Sequence, residues 1–312
     1  MIGGERMSRC GTVAIVGRPN VGKSTLLNAL LGQKIAPTTH KPQTTRRTLR
    51  GVVTRGDAQI VFVDTPGLHR PTRGLHAFMI REALDAARDV DVLAFVTEAD
   101  TRGVHRDDEV VLQQLEKEGA TGHPLILVLN KVDKLKDKKL VLPQLAAWAE
   151  RDIFKALIPI SAQKKNGLDT LLDEIARHLP EGEPLFPKDT LTDASERDIC
   201  AELIREKVML ELREEIPYRA AVVVEEFDET RREEANKPLV RIAAVIHVEK
   251  DSQKAVVVGR KGERIKTIGT RARQELETLL GCQVMLELFV RVEHDWTTSQ
   301  AGLKKLGYTR SS

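Results

Sequence analysis

One short segment limits the possible folds of this chain more than any other. Residues 17–24 read G-R-P-N-V-G-K-S and lie between an apolar run, 12–16, and a helical pattern of leucines, 26–31. The run predicts a strand and the leucine pattern predicts a helix. Glycines in such a loop let backbone N–H groups curl around an anion, and the following helix directs its positive end towards it. This order predicts a nucleoside triphosphate site.

Two side chains of this loop have predicted chemical roles. Lys23 is expected to neutralise the outer phosphates during catalysis, and the hydroxyl of Ser24 is expected to be a ligand of magnesium. The predicted phosphate-binding residues are Gly17, Asn20, Val21, Gly22, Lys23, Ser24 and Thr25.

A second motif predicts which base is bound. Residues 130–133 read N-K-V-D and follow the apolar run 125–129, which places them at the carboxyl edge of the predicted sheet. A carboxylate at Asp133 can accept from the ring N–H and the amino group of guanine, whereas adenine lacks both donors at these positions. The motif alone is also typical of an ordinary polar turn, but behind a phosphate loop it favours guanine. The predicted base-binding residues are Asn130, Lys131, Asp133, Ser161 and Ala162, the last two through backbone N–H groups towards the guanine O6.

A third motif, D-T-P-G at residues 64–67, follows the apolar run 60–63. It places Asp64 at a strand end, where the carboxylate can hold magnesium through water, and the N–H of Gly67 near the γ-phosphate. Both residues are therefore predicted to sense that phosphate, and Gly67 is predicted to act in catalysis.

The sequence G-R-P-N-V-G-K-S-T, together with Q-T-T-R at residues 43–46, resembles the Era branch of the translation-factor-type P-loop GTPases. The polar stretch 32–47 is then interpreted as the first switch loop, and residues 67–73 as the second. The resemblance places on Thr45 the hydroxyl that reaches magnesium only when the γ-phosphate is present, with Thr44 as the alternative. The predicted metal ligands are Ser24, Thr45 and Asp64. Leu68 stands where Ras-like enzymes carry the glutamine that orients water, which predicts slow intrinsic hydrolysis.

The length of 312 residues suggests two domains. Strands and helices alternate over residues 12–179, which predicts an α/β domain with a doubly wound, mostly parallel sheet. The stretch 180–189 carries three prolines and a glycine and indicates a domain boundary. We predict an N-terminal arm at 1–11, a P-loop GTPase domain at 12–179, a linker at 180–194, an RNA-binding domain at 195–294 and a tail at 295–312.

The second domain has its own signature, the G-x-x-G loop Gly259–Gly262, which joins the apolar run 255–258 to a helical pattern. Such a loop lets a nucleic-acid strand approach the backbone closely while basic side chains meet its phosphates. The module resembles a smaller α+β KH domain of the second topological type; the run 255–258 reads as strand or helix, and the family favours helix. The ending L-G-Y at 306–308 also resembles Era. The predicted RNA-binding residues are Gly259, Arg260, Lys261, Gly262, Arg264, Lys266, Arg271 and Arg273.

Composition and single residues add a few constraints. A net charge of +3 with 4% aromatic residues is typical of an ordinary globular protein and permits a phosphate-bearing partner. The three cysteines lack metal-ligand spacing, which favours free thiols in a cytoplasmic protein. We interpret His69, His76, His105 and His123 as solvated side chains and Trp148 as part of the core.

The resemblance implies a monomeric GTPase that hydrolyses GTP with Mg²⁺, and with K⁺ as a candidate second cofactor. It also implies binding of the 3′ end of small-subunit ribosomal RNA, with small-subunit proteins as partners, during assembly of that subunit. Peripheral contact with the inner membrane is left open. Two alternatives remain: a constitutive RNA-binding protein whose nucleotide domain is only a platform, and a GTPase of transfer-RNA modification, a class that shares Asn20 and the Thr-Thr-Arg switch but lacks the G-x-x-G module.

Overall fold

The computed structural model describes residues 8–69, 74–100 and 103–308. Parts of the predicted N-terminal arm, second switch loop and tail, namely residues 1–7, 70–73 and 309–312, lie outside the described residues. The chain forms two compact units. The first unit comprises residues 1–33, 45–71 and 79–193, and the second comprises residues 34–44, 72–78 and 194–312.

The first unit is built on a six-stranded sheet in the order β2-β3-β1-β4-β5-β6. Strand β2 is antiparallel to β3, and the other neighbours are parallel, as the alternation of strands and helices predicted. The strands are β1 (Arg9–Val16), β2 (Leu49–Arg55), β3 (Ala58–Asp64), β4 (Val92–Glu98), β5 (Leu125–Asn130) and β6 (Ala156–Pro159). The helices are α1 (Lys23–Leu31), α2 (Leu75–Arg88, which belongs to this unit from Met79 on), α3 (Arg106–Lys117), α4 (Val141–Ala149) and α5 (Leu168–His178).

The central strands are buried along almost their whole length, which explains why their sequences are continuous apolar runs. Strands β1, β4 and β5 pack through Val16, Phe95 and Leu127 into one core with helices α2, α3 and α4. Trp148 is a core residue, as predicted, and its ring lies 5.7 Å from those of both Phe95 and Phe154. This rigid sheet fixes the loops at its carboxyl edge.

The second unit contains a three-stranded sheet in the order β7-β8-β9, with β7 antiparallel and β9 parallel to β8. The elements run α6 (Glu196–Glu211), β7 (Ala221–Arg231), β8 (Leu239–Val248), α7 (Asp251–Val258), α8 (Glu263–Leu280), β9 (Gln283–Val292) and α9 (Gln300–Lys305). The apolar run 255–258 is helical, as the family resemblance favoured. Helix α6 ends at Glu211, because Leu212 is extended and Glu214 has φ 57°.

Aromatic residues anchor the described part of the tail within the second unit. Trp296 is fully buried, and its Nε1 donates to the carbonyl of Arg219 at 2.9 Å. Its ring stacks on Tyr308 at 5.5 Å, and Tyr308 meets Phe78 edge-on at 6.0 Å. The final L-G-Y is therefore a packing element of this unit.

Two further properties concern the described residues of both units. Cys10, Cys200 and Cys282 are all free thiols. Among the helices of the described ranges, none is long and apolar enough to cross a membrane.

Candidate functional site

The phosphate loop joins β1 to α1 and is shaped by close backbone approaches. Gly22 has φ 100° and directly precedes α1, which has no side-chain N-cap. A Cβ on Gly22 would lie 2.5 Å from the Nδ2 of Asn130, and a Cβ on Gly67 would lie 2.8 Å from the backbone of Pro19. Both positions therefore require glycine, and the N-terminus of α1 is left for an anion.

Lys23 is buried beneath this loop. Its Nζ donates to the carbonyls of Gly17 and Arg18 at 3.1 Å each. Burial lowers the pKa of Lys23 to about 8, against the opposing charge of Asp64. A cation held out of water in this way is stabilised by an incoming phosphate more strongly than an exposed lysine would be.

Three oxygen-bearing side chains meet beside Lys23. The Oγ of Ser24 lies 2.7 Å from the Oγ1 of Thr45 and donates to Asp64 Oδ2 at 2.6 Å, while Thr45 Oγ1 lies 3.3 Å from the same carboxylate. Burial raises the pKa of Asp64 to about 6, and its Oδ1 is buried without a hydrogen-bond partner. Hydroxyl and carboxylate oxygens are the donors that Mg²⁺ prefers, so the residues present fit this ion.

The structure separates the two threonines that the sequence left as alternatives. Thr45 joins Ser24 and Asp64, whereas the hydroxyl of Thr44 donates to the carbonyl of Lys41 at 2.7 Å and lies 2.7 Å from Thr39 Oγ1. This placement favours Thr45 as the metal ligand.

Asn130 connects the phosphate loop to both base-binding loops. Its Nδ2 donates to the carbonyl of Val21 at 2.9 Å, and its Oδ1 accepts from the N–H groups of Lys131 at 2.7 Å and Ala162 at 3.0 Å. The side chain is 1% exposed. Asn130 therefore acts as a structural bridge.

Asp133 and Ser161 come together at the mouth of the predicted base pocket. The hydroxyl of Ser161 donates to Asp133 Oδ1 at 2.5 Å. The side chain of Lys131 contacts the phosphate loop, where its Nζ donates to the carbonyl of Asn20 at 2.5 Å and to Glu98 at 2.7 Å.

The backbone N–H groups of Ser161 and Ala162 already have partners. The N–H of Ser161 donates to the carbonyl of Asn166 at 3.0 Å, and that of Ala162 donates to Asn130 Oδ1, so their contact with guanine O6 stays a prediction.

Sequence reasoning missed the contacts that hold Arg18. Its Nε lies 3.1 Å from Oδ1 of Asp108, a fully buried carboxylate that also accepts from Thr97 at 2.7 Å. Asp108 belongs to α3 and Thr97 to β4, so no motif around Arg18 could have revealed them. These side chains hold the phosphate loop against the sheet.

Leu68 and His69 follow Gly67, and His69 is less exposed than predicted. Leu68 is 1% exposed and packs in the core, and its N–H donates to the carbonyl of Gly17 at 3.1 Å. His69 is half-buried, burial lowers its pKa, and its Nδ1 lies 3.2 Å from the carbonyl of Gly67. The interpretation of His69 as solvated was therefore wrong, because the loop packs inward after Leu68.

His105, another of the four histidines, is the N-cap of α3, where its side chain accepts from the N–H of Asp107 at 3.1 Å.

The G-x-x-G loop in the second unit has the left-handed backbone that its glycines allow. Gly259 has φ 72°, Lys261 has φ 52° and Gly262 has φ 78°. A Cβ on Gly259 would lie 2.7 Å from the Cβ of Arg264. Arg260 and Lys261 are exposed at this turn, directly before α8. The loop therefore offers a close backbone approach flanked by two cations.

The other predicted RNA-binding cations do not form one surface. At about 100° per residue, Arg264 and Arg271 lie on one side of α8, and Lys266 and Arg273 on the opposite side. Arg264 donates to the carbonyl of Val256 at 2.5 Å, and Arg271 is paired with Glu211. Arg260, Lys261, Lys266 and Arg273 are exposed, and contact of these cations with RNA phosphates stays a prediction.

Comparisons with known proteins identify the family of this chain. Residues 12–131 match a family profile described as 50S ribosome-binding GTPase, and residues 215–297 match a KH domain profile. A GTPase Era from Geobacter metallireducens is 48% identical over 96% of this chain and 98% of its own length. One from Syntrophus aciditrophicus is 45% identical over 97% and 96%. The chain belongs to the Era family of GTPases.

Solved structures of this family extend the match to the fold. An Aquifex aeolicus Era variant bound to GDP and aluminium fluoride has a TM-score of 0.89 and 41% identity, covering 97% of this chain and 100% of its own. An Era complex with MgGDPNP and nucleotides 1506–1542 of 16S ribosomal RNA has a TM-score of 0.90, with the same identity and coverage. This Era-family chain is a P-loop GTPase with a KH domain.

The first prediction concerns the base. Asp133→Asn should shift preference from GTP towards xanthosine triphosphate, because an amide can donate to the carbonyl that replaces the amino group of guanine. Sites built on buried hydrogen bonds discriminate by roughly 10⁴ to 10⁵. Competition binding of the two nucleotides measures the shift. Asp137→Asn, which removes an exposed carboxylate of the neighbouring loop, is the control. A variant at 133 that keeps the wild-type preference would show that another group reads guanine.

The second prediction concerns Leu68. Leu68→Ala should lower the free energy of unfolding by about 2–5 kcal/mol, because it empties a core position. Under conditions where the variant is folded, single-turnover hydrolysis should change less than about tenfold, since leucine cannot orient water. Leu142→Ala, at a position 72% exposed, is the stability control. A 100-fold loss of rate in folded Leu68→Ala would contradict this assignment.

Proposed function

We propose that this Era-family GTPase couples its nucleotide state to binding of small-subunit ribosomal RNA and acts as an assembly factor of that subunit. One observation carries the proposal: the same chain presents a phosphate loop with Ser24, Thr45 and Asp64 gathered beside it, and an exposed G-x-x-G loop. A relative that matches over nearly the whole chain was solved with both MgGDPNP and 16S RNA. We also propose a GTPase domain at 12–179 and an RNA-binding domain at 195–294, with residues 34–44 of the first packed in the second compact unit.

The proposed roles at the nucleotide follow from the contacts. Ser24, Thr45 and Asp64 would hold Mg²⁺, which neutralises phosphate charge when bound. Lys23 exchanges its two carbonyl partners for phosphate oxygens, and the N–H of Gly67 faces the γ-phosphate. Leu68 supplies no polar group, so intrinsic hydrolysis is slow.

The proposed RNA is the 3′ end of small-subunit RNA, with small-subunit proteins as neighbours. The description of the first family profile names the 50S subunit, but that profile covers only residues 12–131. The Era structure that matches the KH half as well contains 16S RNA, which supports the small subunit. We further propose a monomer in the cytoplasm, in keeping with its free thiols, and leave peripheral membrane contact as a separate property to be measured.

Potassium is the proposed second cation. Family members with asparagine at the position of Asn20 can use K⁺ near the phosphates, and the backbone of Asn20 is left-handed, with φ 66°. Hydrolysis should therefore be faster in K⁺ than in Na⁺ at equal ionic strength, and Asn20→Ala should remove the difference. Equal rates of the wild type in the two salts would contradict a role for potassium.

The central prediction is nucleotide-dependent RNA affinity. RNA of the 3′-terminal segment should bind more tightly with GDPNP than with GDP, typically by about 5- to 150-fold. RNA should tighten GDPNP relative to GDP by the same factor, because binding free energies are reciprocal. Thr45→Ala should shrink the difference, since it removes a ligand that distinguishes the two states. Fluorescence anisotropy of labelled RNA measures both effects.

The same titration separates the alternatives. Equal RNA affinity in the two nucleotide states of the wild type would favour a constitutive RNA-binding protein. A difference that survives in Thr45→Ala would retain the switch but assign it to another residue.

A last prediction tests the RNA surface. Arg260→Asp combined with Lys261→Asp should abolish RNA binding in both nucleotide states and leave GDPNP affinity without RNA unchanged. Lys237→Asp combined with Arg241→Asp makes the same charge change at exposed positions outside the G-x-x-G loop and serves as the control. Loss of RNA binding in the control alone would move the RNA site away from this loop.

A further inference from the structure

Residues 34–44, most of the predicted first switch loop, are fixed to helix α6 within the second unit. Lys34 pairs with Glu206 Oε1 at 2.8 Å, and the N–H of Thr38 donates to Glu206 Oε2 at 2.7 Å. Further along, the ammonium of Lys41 donates to the carbonyls of Met209 and Leu212 at the end of the helix. Ile35 and Ala36 are buried between these contacts. The segment is therefore held along its length by one helix.

Glu206 is the first centre of this attachment. Its side chain is 2% exposed and also accepts from Lys207 at 2.8 Å. Glu275 of α8 closes the network by pairing with both Lys34 and Lys207. A buried carboxylate is tolerated only when its lone pairs are satisfied. Detaching residues 34–44 from α6 would deprive Glu206 of Lys34 and of the Thr38 N–H.

Arg205 is the second centre. Its side chain is 0% exposed, Glu202 accepts from its Nη2 at 2.5 Å and from its Nε at 3.1 Å, and its Nη1 lies 3.0 Å from the sulfur of Met209. Nη2 also donates to the carbonyl of Thr44. A guanidinium has five N–H donors in a rigid plane. In Arg205, one of them points at the carbonyl of Thr44, the last residue of the segment 34–44.

That peptide joins Thr44 to Thr45. The carbonyl oxygen of residue 44 and the Cα of residue 45 belong to one planar unit. Holding the oxygen therefore limits the position of the Cα that carries the Thr45 hydroxyl, the group found at Ser24 and Asp64.

We propose that Arg205, a residue of the RNA-binding unit, is a positioning residue for the GTPase reaction. It fixes the Thr44 carbonyl so that the Thr45 hydroxyl is presented to the metal site, and Glu206 with Lys41 holds the rest of the loop. The proposal rests on the proposed role of Thr45 as a magnesium ligand. We call the contacts of Arg205, Glu206 and Lys41 that hold residues 34–44 the anchor. Weakening the anchor should reduce the preference for GDPNP over GDP and leave the affinity for GDP nearly unchanged.

Two variants test the anchor from its two sides. Arg205→Met combined with Glu202→Gln removes the guanidinium without leaving a buried charge unpaired, and Lys41→Met removes a loop contact without altering the helix. Arg232→Met combined with Glu196→Gln is the matched control, because this ion pair of 2.5 Å lies at the other end of α6 and does not involve residues 34–44. Should the Arg205 variant fail to fold, Lys41→Met alone decides.

The measurements use the full chain with fluorescent GDPNP and GDP. In the anchor variants we expect the affinity ratio of GDPNP to GDP to fall at least about fivefold, and the Mg²⁺ concentration that half-saturates the GDPNP complex to rise. The GDP affinity should stay within about twofold, the hydrolysis rate constant should fall, and Arg205→Lys should restore part of the ratio because it keeps one charged donor. The control should match wild type in every measurement.

Thr45→Ala distinguishes the two levels of the proposal. If it lowers the ratio and the anchor variants do not, the anchor is overturned while the role of Thr45 stands. If Thr45→Ala also leaves the ratio unchanged, the role of Thr45 fails, and the anchor proposal falls with it. A drop in the control equal to that in the anchor variants would also overturn the proposal, since it would reflect general damage to α6.

Discussion

The nucleotide site depends on the buried amide of Asn130. One side chain bonds the phosphate loop through the carbonyl of Val21 and both base-binding loops through the N–H groups of Lys131 and Ala162. A buried hydrogen bond that loses one partner leaves the other unsatisfied, which costs about 1–3 kcal/mol for each group. The buried amide therefore connects the phosphate loop to both predicted base-binding loops.

Burial makes the charged forms of Lys23 and Asp64 in this site unfavourable. Burial lowers the pKa of Lys23 to about 8 and raises that of Asp64 to about 6, so each group is less stable in its charged form than it would be in water. Their mutual attraction offsets only part of this cost. Phosphate oxygens near Lys23 and a divalent cation near Asp64 would supply the missing charge partners.

Local patterns predicted the elements and motifs well but not their long-range partners. The apolar run 255–258 is helical, as the resemblance to the KH family favoured. The ion pair between Arg18 and Asp108 joins residues far apart in sequence, and no sequence motif predicts it. His69 was misjudged for the same reason, since the core that half-buries it is assembled from distant elements. Helix propensity alone could not place the end of α6, which depends on the extended Leu212.

The sequence also did not predict that two short segments of the N-terminal half, residues 34–44 and 74–78, pack in the second unit. Residues 34–44 pack with α6, and residues 74–78 pack with the tail, where the N–H of Leu75 donates to the carbonyl of Thr297 at 2.8 Å. Each segment adjoins a predicted switch residue of the first unit along the chain, Thr45 in one case and the loop after Gly67 in the other. A ligand shifts a conformational equilibrium only through different affinities for its states. These segments share their packing with the unit that carries the G-x-x-G loop, so under the proposed role of Thr45 a change at the γ-phosphate would reach that unit through the covalent chain.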